Sequence, residues 1–117
     1  MTTSREDDVR YDKLVRDRIP AILAARHIEA EVRQASHEER WPRLRAKLSE
    51  EVAEFDLAQS PTERTEELAD VLEVVLALAA ADGVSAGDLE RVRAVKAMAR
   101  GGFVDGWILI ETREPCA

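Results

Sequence analysis

Cysteine is nearly absent from this chain of 117 residues: Cys116 stands alone, and no CxxC or Cys/His spacing exists. That excludes a disulfide framework and a zinc knuckle, and leads us to expect a reducing, cytoplasmic setting. Aromatic residues are 4% of the chain, too few for the stacking platforms that single-stranded nucleic acid requires. No apolar run approaches the roughly 18 residues of a membrane span, and from the polar opening no signal segment is expected. Neither His27 nor His37 falls three residues after a glutamate, so the Glu-x-x-His pairs of a di-iron bundle are missing. No serine sits in a nucleophile elbow.

What the chain has is acid, unevenly placed. The net charge is −7, and between Glu50 and Glu73 nine acids face a single base, Arg64. That stretch carries −8, leaving +1 for everything else. One acidic block on a near-neutral protein attracts cations and disfavours nucleic-acid phosphates, so no nucleic-acid polymer is expected as a partner.

At 45% hydrophobic content a single compact core is expected, in an all-α fold of about four helices with a short extended C-terminal arm. Pro20 suits the first turn of a helix reaching about His27. Glu29 to Gln34 alternates weakly through Ala30 and Val32 and is expected as a short strand. Ser36, or the region of Pro42, opens a helix to about Ala58 with Leu44, Leu48, Val52 and Phe55 on one face. Ser60, Pro61 and Glu63 form a capping box for a helix ending at Gly83. That helix carries Leu68, Val71, Leu72, Val75, Leu76 and Ala79, and Val74 and Leu78 widen the stripe until its second half is apolar almost all round. Such a helix is buried between neighbours. Ser85 and Asp88 start a last helix that stops at Gly101-Gly102. The arm Phe103 to Ile110 is expected to turn at Asp105-Gly106. Residues 1–9 are expected to be disordered, 10–112 to form the domain, and 113–117 to be a tail.

The acidic block has internal order. Glu50-Glu51-Val52-Ala53-Glu54 reads EExxE, and Glu67-Leu68-Ala69-Asp70 reads ExxD. Residues three apart share a helix face, so Glu51 with Glu54 and Glu67 with Asp70 form two carboxylate pairs. A break at Gln59-Ser60-Pro61 lets the helices run antiparallel and brings the pairs together. Four converging carboxylates repel unless cations neutralise them, and oxygen-only ligands suit Mg²⁺ or Mn²⁺. A solvated acidic face is the competing reading. The Glu67/Asp70 stripe continues through Val74, Ala77, Leu78 and Ala81, all apolar, which favours the metal. Cations flank the block in sequence: Lys13, Arg16 and Arg18 before it, Lys96 and Arg100 after it.

EExxE, twelve residues and ExxD, with LVRDRIP at the start and K-x-x-x-R-G-G-F at the end, resemble the all-α nucleotide pyrophosphohydrolases of the MazG-like superfamily. The similarity is greatest to the phosphoribosyl-ATP pyrophosphohydrolase-like branch and spans about residues 11–110. It implies a Mg²⁺-dependent bundle that splits a nucleoside triphosphate into monophosphate and pyrophosphate. By position the metal ligands would be Glu51, Glu54, Glu67 and Asp70, with Glu50 or Glu54 taking the proton. Lys13, Arg16, Arg18, Lys96 and Arg100 would neutralise charge on the leaving pyrophosphate. Ala99 departs from the pattern, since related chains often carry an acid there. Hydrolysis of phosphoribosyl-ATP in histidine biosynthesis and removal of unwanted nucleotides from the pool are both compatible with these motifs. A catalytically silent helical module is the reading from another class. The apolar helix and the small size imply a homodimer or homotetramer with sites near interfaces.

Overall fold

Three serines start the three long helices. In the computed structural model, which describes residues 9–115, Ser36 precedes α2 (His37–Leu57), Ser60 precedes α3 (Pro61–Ala81) and Ser85 precedes α4 (Ala86–Arg100). Each hydroxyl accepts a hydrogen bond from the backbone N–H three residues on, satisfying a donor the helix cannot pair internally. A short helix, α1 (Ile19–Ala25), precedes them. All regular structure among the described residues is helical, and none of these helices is long and apolar enough to cross a membrane.

The caps differ in detail. At Ser36 the box is complete, because Glu39 reaches back to the Ser36 N–H. At Ser60 the reciprocal carboxylate, Glu63, accepts instead from the Gln59 N–H at 2.8 Å. Pro42 lies inside α2, so Ser36 and not the proline marks the helix start, and one intrahelical hydrogen bond is forgone. Helix α3 ends as expected at Gly83, whose φ of +77° allows the Val84 N–H to bond Ala79 O and the Gly83 N–H to bond Ala80 O. Helix α1 ends in the same way, but with His27 at φ +58° where glycine is usual.

Two expectations are corrected. Residues 29–34 form no strand: the segment is irregular, Val32 is exposed, and no second strand exists among the described residues to pair with it. A two-residue alternation is too little to hold a strand without a partner. Nor does the single chain build a compact core. Val74 is the one buried hydrophobic residue among those described, and the radius of gyration is 20.3 Å. A compact chain of this length would have about 13 Å. Helix α2 packs on α3 and α3 on α4, in series and not around a common centre, while α1 packs on no other helix. The second half of α3 is therefore only half-buried, and Leu68 and Leu72 are exposed. The chain turns after Phe103, where the Gly106 N–H bonds Phe103 O, and is otherwise irregular from Gly101 to Pro115. Cys116 and all of the expected disordered stretch except Val9 lie outside the described residues.

Candidate metal centre

Only Ala58, Gln59 and Ser60 separate α2 from α3, so the two helices form a hairpin and residues equidistant from the break come side by side. Glu51 on α2 thereby meets Glu67 and Asp70 on α3, with one carboxylate oxygen of each inside a 4.8 Å span. From Asp70 the stripe runs on to Val74, the buried residue, so the cluster sits at the edge of what core the chain has. The Glu51 side chain is only 12% exposed. Glu54 is exposed and lies outside the triplet, yet close enough for its charge to act on Glu67.

The electrostatics follow from this crowding. Burial, and then the charges of Asp70, Glu51, Glu54 and Glu66, push the Glu67 carboxyl above the ordinary carboxylate range. Glu50 moves the other way. The Lys13 ammonium donates to it at 2.9 Å and Lys47 at 3.4 Å, which holds its carboxyl low and raises Lys13. Lys13 also stands 5.7 Å from the centre of the Tyr11 ring.

The N-terminal cations thus separate into two groups. Lys13 and Arg16 come onto the site, Arg16 donating to Asp70 at 2.6 Å. Arg18 stands at the N-cap position of α1 with no side-chain capping bond and forms no ion pair among the described residues, and neither do Lys96 or Arg100, both exposed on α4. Two further cations, outside the sequence motifs, join the site. Lys47, 16% exposed, pairs with Glu51 at 3.3 Å as well as with Glu50. Its signal was available, since it precedes those acids by three and four residues on one helix. Arg43 donates to Asp12 O at 2.9 Å and pairs with the Asp12 carboxylate at 3.6 Å. It thereby pins Asp12, at φ +44°, next to Lys13 in the chain. No local pattern in the sequence announces that contact, which spans 31 positions.

The donor set suits a hard cation. All three donors are carboxylate oxygens, the ligands that Mg²⁺, Mn²⁺ and Ca²⁺ take. The three oxygens, within 4.8 Å of one another, would draw closer together to hold one such ion. The adjoining depression, lined by Asp12, Lys13, Leu14, Arg43, Lys47 and Glu50, encloses about 80 Å³. Small-molecule pockets occupy about 300 Å³ or more, so this single chain does not enclose a nucleotide there.

The chain is thus an all-helical protein in which carboxylates from two paired helices meet beside lysine and arginine side chains. Residues 21–97, about two thirds of the chain, match the phosphoribosyl-ATP pyrophosphohydrolase family, PRA-PH. The chain belongs to that family, within the MazG-like all-α nucleotide pyrophosphohydrolases, and is a hydrolase acting on phosphoric anhydrides. No curated protein and no solved structure matches it. The matched segment contains Glu50, Glu51, Glu54, Glu67, Asp70 and Lys96, and leaves Lys13, Arg16, Arg18 and Arg100 outside.

Proposed function

We propose that the protein is a Mg²⁺-dependent nucleoside triphosphate pyrophosphohydrolase, converting a nucleotide and water to the monophosphate and pyrophosphate. The observation that carries this reading is the convergence of Glu51, Glu67 and Asp70 in a chain of this family. Glu51, Glu54, Glu67 and Asp70 would hold Mg²⁺, or Mn²⁺ in its place. The ion supplies polarisation of phosphate oxygens and a water of lowered pKa.

The chain's own residues do the rest. Lys13 and Arg16, already at the carboxylates, bind phosphate oxygens, and Arg18, Lys96 and Arg100 add to the positive charge around them. Glu50, its carboxyl held low between Lys13 and Lys47, is a poor proton acceptor. Glu54, exposed beside the triplet, is the better candidate for the general base. A homodimer or homotetramer supports the same reading, because the depression beside the carboxylates is too small for a nucleotide and a second copy can complete it.

Two substrates share this chemistry. A role in clearing nucleotides from the pool takes nucleoside triphosphates. The name of the matched family favours phosphoribosyl-ATP, an intermediate in histidine biosynthesis with the same triphosphate chain. A panel containing both, scored for pyrophosphate against orthophosphate with Mg²⁺ present, tests the proposal. Pyrophosphate from a nucleotide supports it, and the preferred substrate decides between the roles. Orthophosphate alone, or no product, refutes it.

A further inference from the structure

We propose that Phe103 to Ile110 is an exchanged arm, which in the assembled protein lies across the open faces of α3 and α4 of a second copy of this chain. The inference rests on the homo-oligomer proposed above and names the segment that builds it.

Apart from Asp105 and Gly106 in its turn, the arm is apolar. Phe103, Val104, Trp107, Ile108, Leu109 and Ile110 are each between 80% and 100% exposed. A segment covered on one face alternates apolar with polar residues, whereas Trp107 to Ile110 is an unbroken apolar run, the pattern of a strand buried on both faces. The only backbone hydrogen bond within it is the turn from Gly106 to Phe103, so the N–H groups of residues 107–110 have no backbone partner among the described residues. At its root the chain leaves α4 through Gly101, at φ +80°, and nothing stands within 4 Å of a Cβ built on Gly101 or Gly102. The arm therefore departs from its own helices.

The receiving surface is on the same molecule. Leu68 and Leu72, one turn apart on α3, and Val92 and Val95, one turn apart on α4, are 52% to 67% exposed. Beyond the turn, residues 107–110 span about 13 Å when extended, more than the roughly 10 Å between the axes of packed helices.

The area left open favours a second copy as the occupant. The chain exposes 11166 Å², whereas a folded monomer of 13.1 kDa exposes about 6,400 Å². The excess, about 4,800 Å², is several times the roughly 800 Å² that each partner contributes to an interface of standard size. Burial of one helix face would leave most of it open. Reciprocal exchange between two copies covers both arms and both helix faces at once. An anionic bilayer is a poor alternative, since Glu111 and Glu114 flank the arm and the chain carries −7.

The test uses the full chain. Trp41→Phe leaves Trp107 as the sole tryptophan. At concentrations where sedimentation shows an oligomer, Trp107 should emit to the blue of free indole and resist acrylamide quenching. On dilution both properties should be lost in step with dissociation. Ile108→Glu, which places a charge in the covered arm, should raise the dissociation constant by about tenfold or more while helical circular dichroism is retained. Should that variant not fold, the Trp107 measurement decides alone. An oligomer with fully quenched Trp107, or one indifferent to Ile108→Glu, overturns the arm and leaves the oligomer standing. Protection of Trp107 in a 13.1 kDa species, or only after anionic vesicles are added, also overturns it. A monomer with solvated Trp107 at every concentration overturns both. None of these readings involves nucleotide, so they are independent of the proposed activity.

Discussion

Replacing Asp70 by asparagine tests the charge balance of the cluster. The Asp70 carboxylate faces two like charges, Glu51 and Glu67, within 4.8 Å and one guanidinium, Arg16, at 2.6 Å. With an effective dielectric between that of water and about 20, each repulsion at that limit is about 0.9 to 3.5 kcal/mol and the attraction about 1.6 to 6.4 kcal/mol. Two repulsions and one attraction cancel to within about 1 kcal/mol at either extreme. The Asp70 side chain is 39% exposed, which places the values toward the small end. Asparagine keeps the shape and still accepts from Arg16. Without divalent cation, the Tm of Asp70→Asn should therefore stay within about 4 °C of the parent's. The parent should gain stability with Mg²⁺ or Mn²⁺, about 2.7 kcal/mol at a hundredfold excess over Kd, and lose it on chelation. The variant should lose most of that gain. Scanning calorimetry with and without the cation reads both quantities. A drop of many degrees in the cation-free variant would mean that Asp70 is structural, and an undiminished response to Mg²⁺ would remove Asp70 from the metal site.

Arg16→Gln removes the guanidinium that competes with a divalent cation for Asp70. Mn²⁺ titrated calorimetrically without nucleotide should bind more tightly, while KM for the nucleotide rises; weaker Mn²⁺ binding would contradict the pairing. Ser36→Ala removes the α2 cap and should cost about 1 kcal/mol, lowering Tm by roughly 4–8 °C without altering KM. Glu39, clamped by Arg33 and by the Ser36 N–H, has its carboxyl pulled down to about 2. Its contribution is fully present above the ordinary value of 4.5 and is lost as pH falls through about 2. Urea titrations across that window should show the parent losing stability with falling pH more steeply than Glu39→Gln; equal slopes would contradict the clamp.

Helix boundaries were legible because capping is local chemistry. Ser36, Ser60 and Ser85 act within four residues of themselves, and Gly83 terminates α3 through its own φ. The carboxylate triplet was legible for a related reason: helical spacing and a short hairpin suffice to bring Glu51 to Glu67 and Asp70. The partners of Lys13 and Arg16 were not, since those contacts span 37 and 54 positions and depend on how the N-terminal segment folds back. Lys47 is within reach of helical spacing but lies outside the flanking motifs that contain the other cations. The expected compact core failed because apolar content does not fix how helices pack, and here α3 meets α2 and α4 in series. Leu68 and Leu72 have the pattern of core residues, yet they stay exposed.

Glu67 and Glu63 lie one helical turn apart in the same acidic block, and only one of them belongs to the cluster. Pyrophosphate release with Mg²⁺, measured side by side for Glu67→Gln and Glu63→Gln, is therefore the most direct test of a metal centre built from these carboxylates. Loss of release in Glu67→Gln with near-parental release in Glu63→Gln is the predicted result. Full activity in Glu67→Gln, or equal loss in both variants, would contradict it.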